Sequence, residues 1–297
     1  MSQFVQVDCP VCAAPASNHV VYPDTLGHSL PVFGYKWTSE IRRCYRAVRC
    51  PKCSHIYASP RLKNIFAHYQ SVADPGYIAN SPLRIATAEH VLDKIADYLP
   101  QGHILDVGCS TGEFLNTAIK RRYTAIGLEL SYWAAQYARA QGLNVYQRPL
   151  GELKKAHFDM ISMWGVLEHL EFPSQEMVHI NRLLKNEGIF AFWTGDASSV
   201  SARLLGSYWW YVMGQHIQYF TKSSIEYLML NHGFKKIHTS IYPYVISLEY
   251  LGTSLMRYPF LVPIARSVLQ HPLLGKLQIR LKLPGEMFGI YRKVHAI

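Results

Sequence analysis

The chain has 297 residues, of which 49% are hydrophobic, 13% aromatic and only 17% charged. That is enough apolar material for a substantial core, and it excludes a disordered or low-complexity chain. The formal net charge of +10 favours anionic partners, such as phosphates, nucleotide-linked substrates, nucleic acid or a lipid surface. The basic residues are scattered, with no run longer than Lys120-Arg121-Arg122, which speaks against nucleic acid.

The N-terminal stretch MSQFVQVDCP has neither a basic nor a long apolar region, and no uncharged apolar run reaches the roughly 18 residues of a membrane span. A cytoplasmic location is expected, with the inner membrane surface as an option, so the six cysteines should be reduced. Four of them form two knuckles, CPVC at Cys9 and Cys12 and CPKC at Cys50 and Cys53. Each knuckle offers two thiolates to one edge of an ion, which suits tetrahedral structural zinc. The 37-residue gap between them is long for a zinc ribbon. Four reduced thiols in a small β subdomain, or a redox pair, are the other readings. Cys44 is poorly spaced to replace a ligand. Residues 1–62 are read as a zinc-ribbon-like region, followed by a second domain over 63–297.

From residue 84 the pattern is helical, with Val91, Leu92, Ile95, Tyr98 and Leu99 on one face and a stop at Pro100 and Gly102. Strands and helices then alternate: HILDVG, a helix over EFLNTAIKRR, YTAIGLEL, a helix closed by Gly142, a short strand LNVYQ, FDMISMW, a helix from Pro173 to near Gly188, GIFAFWT, a helix with a Ser223/Glu226 capping-box pattern, and FKKIHTS. The expected fold is α/β, a Rossmann-like doubly wound seven-stranded sheet. Residues 241–284, Leu-rich with scattered prolines and basic residues, break the rhythm. They read as a helical insertion before a last strand in GEMFGIYRKV, serving as substrate cover, dimer surface or in-plane membrane contact through Arg257, Arg266, Lys276, Arg280 and Lys282.

The turn in ILDVGCSTGEFL, residues 104–115, sits where ligands of open α/β sheets bind. Gly108 and Gly112 would let backbone approach a ligand, and the next helix aims its N–H groups there. The spacing is not the dinucleotide G-x-G-x-x-G. Asp106, two residues before the first glycine, would repel a pyrophosphate and attract a cation. Glu129, 17 residues after Gly112, suits ribose hydroxyls at the second strand's tip. Ribose, no pyrophosphate and a cationic centre together point to S-adenosylmethionine.

These motifs resemble the class I S-adenosylmethionine-dependent methyltransferases over roughly residues 85–240 and the last strand. LDVGCSTGEFL looks like that family's first motif, IGLELS its ribose-binding acid, FDMISMWGVLEHL its fourth-strand motif and LLKNEGIFAFWTGD its fifth. The resemblance implies cofactor contacts from Asp106, Gly108, Cys109, Gly112, Glu129, Leu130, Leu150 and Trp164. Related enzymes often carry an Asp after the third strand for the adenine amine; here that loop reads RPLGEL, leaving Leu150 and nearby backbone.

His169 in LEHL and His216 in GQHIQYF are the candidate bases toward the acceptor. The pair resembles a branch with Cys-knuckle N-terminal regions, prominent for methylating sugars or glycans, such as nucleotide sugars or surface polysaccharide precursors. That branch has Glu-His where this chain has Gln215-His216, so the acid that would orient His216 is missing. Glu168-His169 could instead cap the following helix, and Trp209, Trp210 and Tyr211 could form a sugar platform or a packed loop. The rival functions are methylation of a phenol or quinone-type molecule, methylation of RNA, or a non-catalytic binding role.

Overall fold

The computed structural model describes residues 4–34, 40–154, 157–256, 258–269 and 275–296. In chain order its N-terminal part holds β1 (Phe4–Val5), β2 (Val20–Tyr22), β3 (Ala47–Arg49), β4 (Ile56–Ala58) and β5 (Arg61–Leu62). Two 3₁₀ segments, Ile65–Ser71 and Pro75–Asn80, lead into α1 (Ser81–Ala96). Then come β6 (His103–Val107), α2 (Glu113–Lys120), β7 (Thr124–Leu128), α3 (Tyr132–Ala140), β8 (Val145–Tyr146), β9 (Phe158–Trp164), α4 (Pro173–Leu183) and β10 (Leu184–Gly195). The chain continues through α5 (Val200–Leu205), β11 (Gln218–Tyr219), α6 (Lys222–Asn231), β12 (Phe234–Ser240), β13 (Pro243–Ser247), α7 (Leu248–Leu255), α8 (Val262–Leu269), β14 (Gln278–Lys282) and β15 (Glu286–Lys293).

The central sheet has seven strands in the order β8-β7-β6-β9-β10-β15-β12. The five strands from β8 to β10 pair in parallel, whereas β15 runs antiparallel to both β10 and β12. The middle strands are near-continuous apolar runs because helices cover both faces. Ile104, Leu105, Met160, Ile161, Phe190 and Ala191 have no exposed surface. The expected Rossmann-like seven-stranded sheet is therefore present, with small antiparallel strands before it.

Three local expectations are corrected. The segment 241–284 is not purely helical: β13 and β14 pair antiparallel, from Pro243↔Lys282 to Ser247↔Gln278, and carry α7 and α8 between them. The strand forms because Val245 and Ile246 bury, while Tyr244 packs edge-on against Trp193 at 5.3 Å. The capping box of α6 is Thr221/Ser224, two residues earlier than Ser223/Glu226: the Thr221 side chain accepts from Ser224 N–H, and Ser224 Oγ accepts from Thr221 N–H. Glu226 instead accepts from Lys236 and the Tyr291 hydroxyl. Finally, α4 ends at Leu183, because β10 already begins at Leu184 and shifts register before Ile189.

The small sheet has the order β11-β4-β3-β2, so its edge strand comes from the loop region after β10. Buried His55 reinforces that join, its Nε2 lying 2.8 Å from Gln218 Oε1. The N-terminal part is thereby stitched to the loops at the carboxyl end of the large sheet.

Candidate functional site

The turn after β6 is held by the neighbouring strand's tip. Gly108 and Cys109 N–H both donate to the Leu128 carbonyl, and the β6–β7 register sets Asp106 opposite Gly127. Gly108 and Gly112 have φ of +72° and +90°. A Cβ on Gly112 would stand 2.3 Å from Leu143 Cδ1, and one on Gly108 would stand 2.6 Å from Val166 Cγ2. These glycines thus serve close packing of chain on chain as well as the left-handed turn. Gly112→Ala is expected to cost about 1–3 kcal/mol through backbone strain and displacement of Leu143, read as a lowered denaturation midpoint.

Asp106 is 1% exposed and accepts from Ser162 Oγ at 2.8 Å. Burial, aided by the nearby Glu129 charge, pushes its carboxyl up to about 8 against the opposing pull of the Ser162 bond. Glu129 Oε2 accepts from Ser110 N–H and Oε1 from Ser131 N–H, at 2.8 and 2.7 Å. Burial raises its pKa as well, and those backbone bonds oppose the rise. Each carboxylate oxygen of Glu129 keeps a further lone pair for a hydroxyl. Trp164, at the end of β9, has a buried Nε1 without a hydrogen-bond partner. Its ring lies tilted against Phe114 and Tyr242, with centroids 4.9 and 6.1 Å away.

Two of the expected cofactor-contact residues turn their side chains into the core. Cys109 turns inward: its thiol fills the space over Gly127, and its N–H is spent on Leu128. Leu150 is 3% exposed and belongs to the main core with Leu128 and Phe158. Leu130 is half-buried, and its carbonyl accepts from Gln147.

The segment before α1 and the first turn of α1 add residues that the motifs did not signal. Ser131 Oγ donates to the Val72 carbonyl, tying this segment across α3. Arg84 stacks its guanidinium 3.5 Å from the Tyr77 ring centre and pairs with Glu113, the first residue of α2. Burial pushes the Tyr77 hydroxyl up to about 12. Tyr77 and Arg84 thus flank the turn's helix, and only a tyrosine and an arginine in an otherwise featureless stretch could have hinted at them.

A second polar cluster adjoins the turn through Val166, which touches Gly108 and lies three residues before His169. The rings of His169 and His216 stand 4.7 Å apart, nearly edge to face. His216 Nδ1 donates to the Tyr211 carbonyl at 2.7 Å, which leaves Nε2 as the unprotonated nitrogen. His169 Nδ1 lies 2.6 Å from the Tyr69 hydroxyl and 3.0 Å from the Gln215 carbonyl. Burial lowers the pKa of both imidazoles, and the Glu168 charge partly restores that of His169.

Glu168 caps no helix. It is 1% exposed and accepts from the Tyr211 hydroxyl at 2.5 Å and Thr194 Oγ1 at 2.9 Å. Its carboxylate and one nitrogen of each histidine lie within 4.8 Å of one another. A buried acid thus lies beside both histidines, although it is held by Tyr211 and Thr194 and hydrogen-bonds neither imidazole. Gln215 does a different job: its amide donates to the Gly34 carbonyl and accepts from Gly34 N–H, which a glutamate could not do at both ends. Trp209 and Tyr211 stack on each other inside the core, so they form no open sugar platform. Trp210 and Trp193 both donate N–H to Glu286, whose carboxyl burial pushes up to about 7.

The knuckle cysteines converge. Cys9 and Cys53 sulfurs lie 3.5 Å apart, as do those of Cys12 and Cys50, and all four fall within 4.8 Å of one another. Left-handed Ala13 and Ser54 close two matching loops, with Cys9 and Cys50 carbonyls accepting from Ala13 and Ser54 N–H. Cys44 stays apart, against Thr25 and the Pro23 carbonyl.

Comparison with known proteins agrees with this geometry. No curated protein is detectably similar in sequence. An S-adenosylmethionine-dependent methyltransferase of Archaeoglobus fulgidus superposes with a TM-score of 0.52 at 15% identity, covering 74% of this chain and all (100%) of the other. A second, from Thermotoga maritima, gives 0.48 at 18% identity, over 74% of this chain and 93% of its own. The family described as "Methyltransferase domain" matches residues 81–239, more than half the sequence. The chain belongs to the methyltransferase-domain family and carries it on the class I S-adenosylmethionine-dependent methyltransferase fold.

Proposed function

We propose that the protein transfers a methyl group from S-adenosylmethionine to a hydroxyl of a sugar or glycan, such as a nucleotide sugar or a surface polysaccharide precursor. The observation that carries the acceptor side is the His169–His216 pair backed by buried Glu168. A sugar hydroxyl must lose its proton as it attacks, and an oriented neutral imidazole takes it. When bound, the cofactor supplies an electrophilic methyl on a good leaving group, so the chain's task is alignment, charge complementarity and proton removal.

The residues at the turn fit that cofactor. Glu129 faces the ribose position at the tip of β7, Asp106 offers a carboxyl to a cation, and the unpartnered Trp164 N–H supplies a donor. His216 Nε2 is the favoured base. Tyr211 orients it through its carbonyl and meets Glu168 through its hydroxyl. Methyl transfer from labelled cofactor into fractions of a cell extract tests the reading. Label in lipid-linked glycan or nucleotide sugar supports it, whereas label in RNA or a phenolic molecule replaces the sugar assignment.

Asp106 makes the cofactor's affinity depend on pH. Below about 8 the ligand-free protein holds Asp106 protonated, and that proton must leave when a cation binds. Affinity is therefore expected to climb as pH rises toward about 8 and then level off. The same raised pKa means the ligand-free fold loses stability as pH rises from the ordinary carboxylate range through about 8. Asp106→Asn should flatten the affinity profile while raising the melting temperature of the ligand-free protein at alkaline pH. Calorimetry and thermal melts across that range read both.

The four sulfurs are proposed to hold one structural zinc ion. Tetrahedral Zn–S bonds of about 2.3 Å place sulfurs about 3.8 Å apart, close to the observed spacing.

A further inference from the structure

The surface formed by α5, the 3₁₀ turn after it and the segment around α8 is apolar on the outside. Leu204 is 81% exposed, Phe260 72% and Val200 68%, and Tyr208 and Ile264 are also more than half exposed. Among the described side chains of α8, Ala265 is buried, while Ile264 and Arg266 face solvent. The two elements adjoin: the Tyr258 hydroxyl donates to the Tyr208 carbonyl at 3.4 Å, and Arg42 lies over the Tyr208 ring at 4.6 Å.

Charge completes the pattern. Arg203, Arg266, Lys276, Arg280 and Lys282 are all exposed, whereas Glu249 is the one acid in residues 248–282. Arg257, expected to join this set, lies outside the described residues. A two-fold contact with a second copy would bring two such basic sets together, which like-charge repulsion opposes. Exposed apolar side chains on a stretch whose charged residues are Lys or Arg but for Glu249 match instead the acyl boundary and phosphates of an anionic lipid surface. The patch also stands beside the site: α5 follows the tip of β10 directly, and Tyr211, three residues after Tyr208, holds Glu168 and His216.

We propose that this surface docks in-plane on an anionic bilayer, with Leu204 and Phe260 inserted and the basic residues against lipid phosphates. The docking stands independently of the methyl-transfer reading. No described helix is long and apolar enough to cross a membrane, so contact would be peripheral. Co-sedimentation of the full chain with phosphatidylglycerol-containing vesicles and with pure phosphatidylcholine vesicles tests it. Binding to the anionic vesicles is expected to fall at least roughly tenfold in Leu204→Asp/Phe260→Asp, and to weaken with salt. Leu230→Asp, at an exposed leucine on α6, should bind as the native chain does. Both variants change exposed side chains, so their melts should match the native protein. Equal binding to neutral vesicles, no loss in the double variant, or a dimer in light scattering that the double variant dissolves would each overturn the proposal.

Discussion

His216→Ala is expected to lower methyl transfer by about 10²–10⁴-fold while leaving cofactor affinity near the native value. The reason lies in how the imidazole is held. The Tyr211 carbonyl fixes the proton on Nδ1, and burial beside His169 keeps the ring neutral, so Nε2 is a ready acceptor at neutral pH. Glu168 anchors the same tyrosine from the other end. Glu168→Gln should therefore be milder than His216→Ala in rate, yet it should move the histidine titrations. Loss of a nearby negative charge lowers an imidazole's pKa, so the His169 Cε1–H signal in NMR should titrate at lower pH in the variant. A merely structural Glu168 would leave that titration in place. Rate is measured as label transferred from the cofactor into the acceptor fraction, and affinity by calorimetry on the same preparations.

Removal of the knuckle sulfurs is expected to have the largest effect on stability. Cys9→Ser with Cys50→Ser should eliminate about one equivalent of bound zinc and destabilise the chain on the order of 4 kcal/mol or more. The loss is large because the knuckles are not an appendage. Cys9, Cys50 and Cys53 belong to one apolar cluster with Tyr57, Phe220 and Ile225, which continues into the core under the large sheet. The small sheet they close also takes β11 as its edge, only a residue beyond His216 and Ile217. Losing the metal should thus loosen the base's own loop. Elemental analysis and denaturant melts check this. Less than half an equivalent of zinc in the native protein, with unchanged melts in the variant, would reject the metal.

The central sheet was legible in the sequence because its strands are short apolar runs separated by helices with clear glycine and proline stops. The strand-tip acids were legible for a related reason: Asp106 and Glu129 interrupt apolar segments where no core residue is polar without cause. What escaped was non-local. No pattern in residues 65–84 shows that Tyr69 reaches His169 or that Tyr77 and Arg84 flank α2, since those contacts depend on how an irregular segment drapes over the sheet. β11 is two residues long and exists only through its partner β4, so its own periodicity is silent. β13 and β14 pair across the 30 positions 248–277, too far for a hairpin signal. Glu168 illustrates the same limit: beside His169 it looks like a helix cap, and only the fold reveals that it lies buried near His216, held by Tyr211 and Thr194. Gly112 was read as room for a ligand, although Leu143 occupies the space a side chain would need.

Asp106 and Glu129 are proposed to select a cationic nucleoside. Titration calorimetry of the full chain tests this most directly, with S-adenosylmethionine and NAD compared on the native protein and on Glu129→Ala. Saturable binding of S-adenosylmethionine alone, weakened at least roughly tenfold in the variant, is the expected result. No heat at millimolar cofactor, or tighter binding of NAD, would contradict that selectivity.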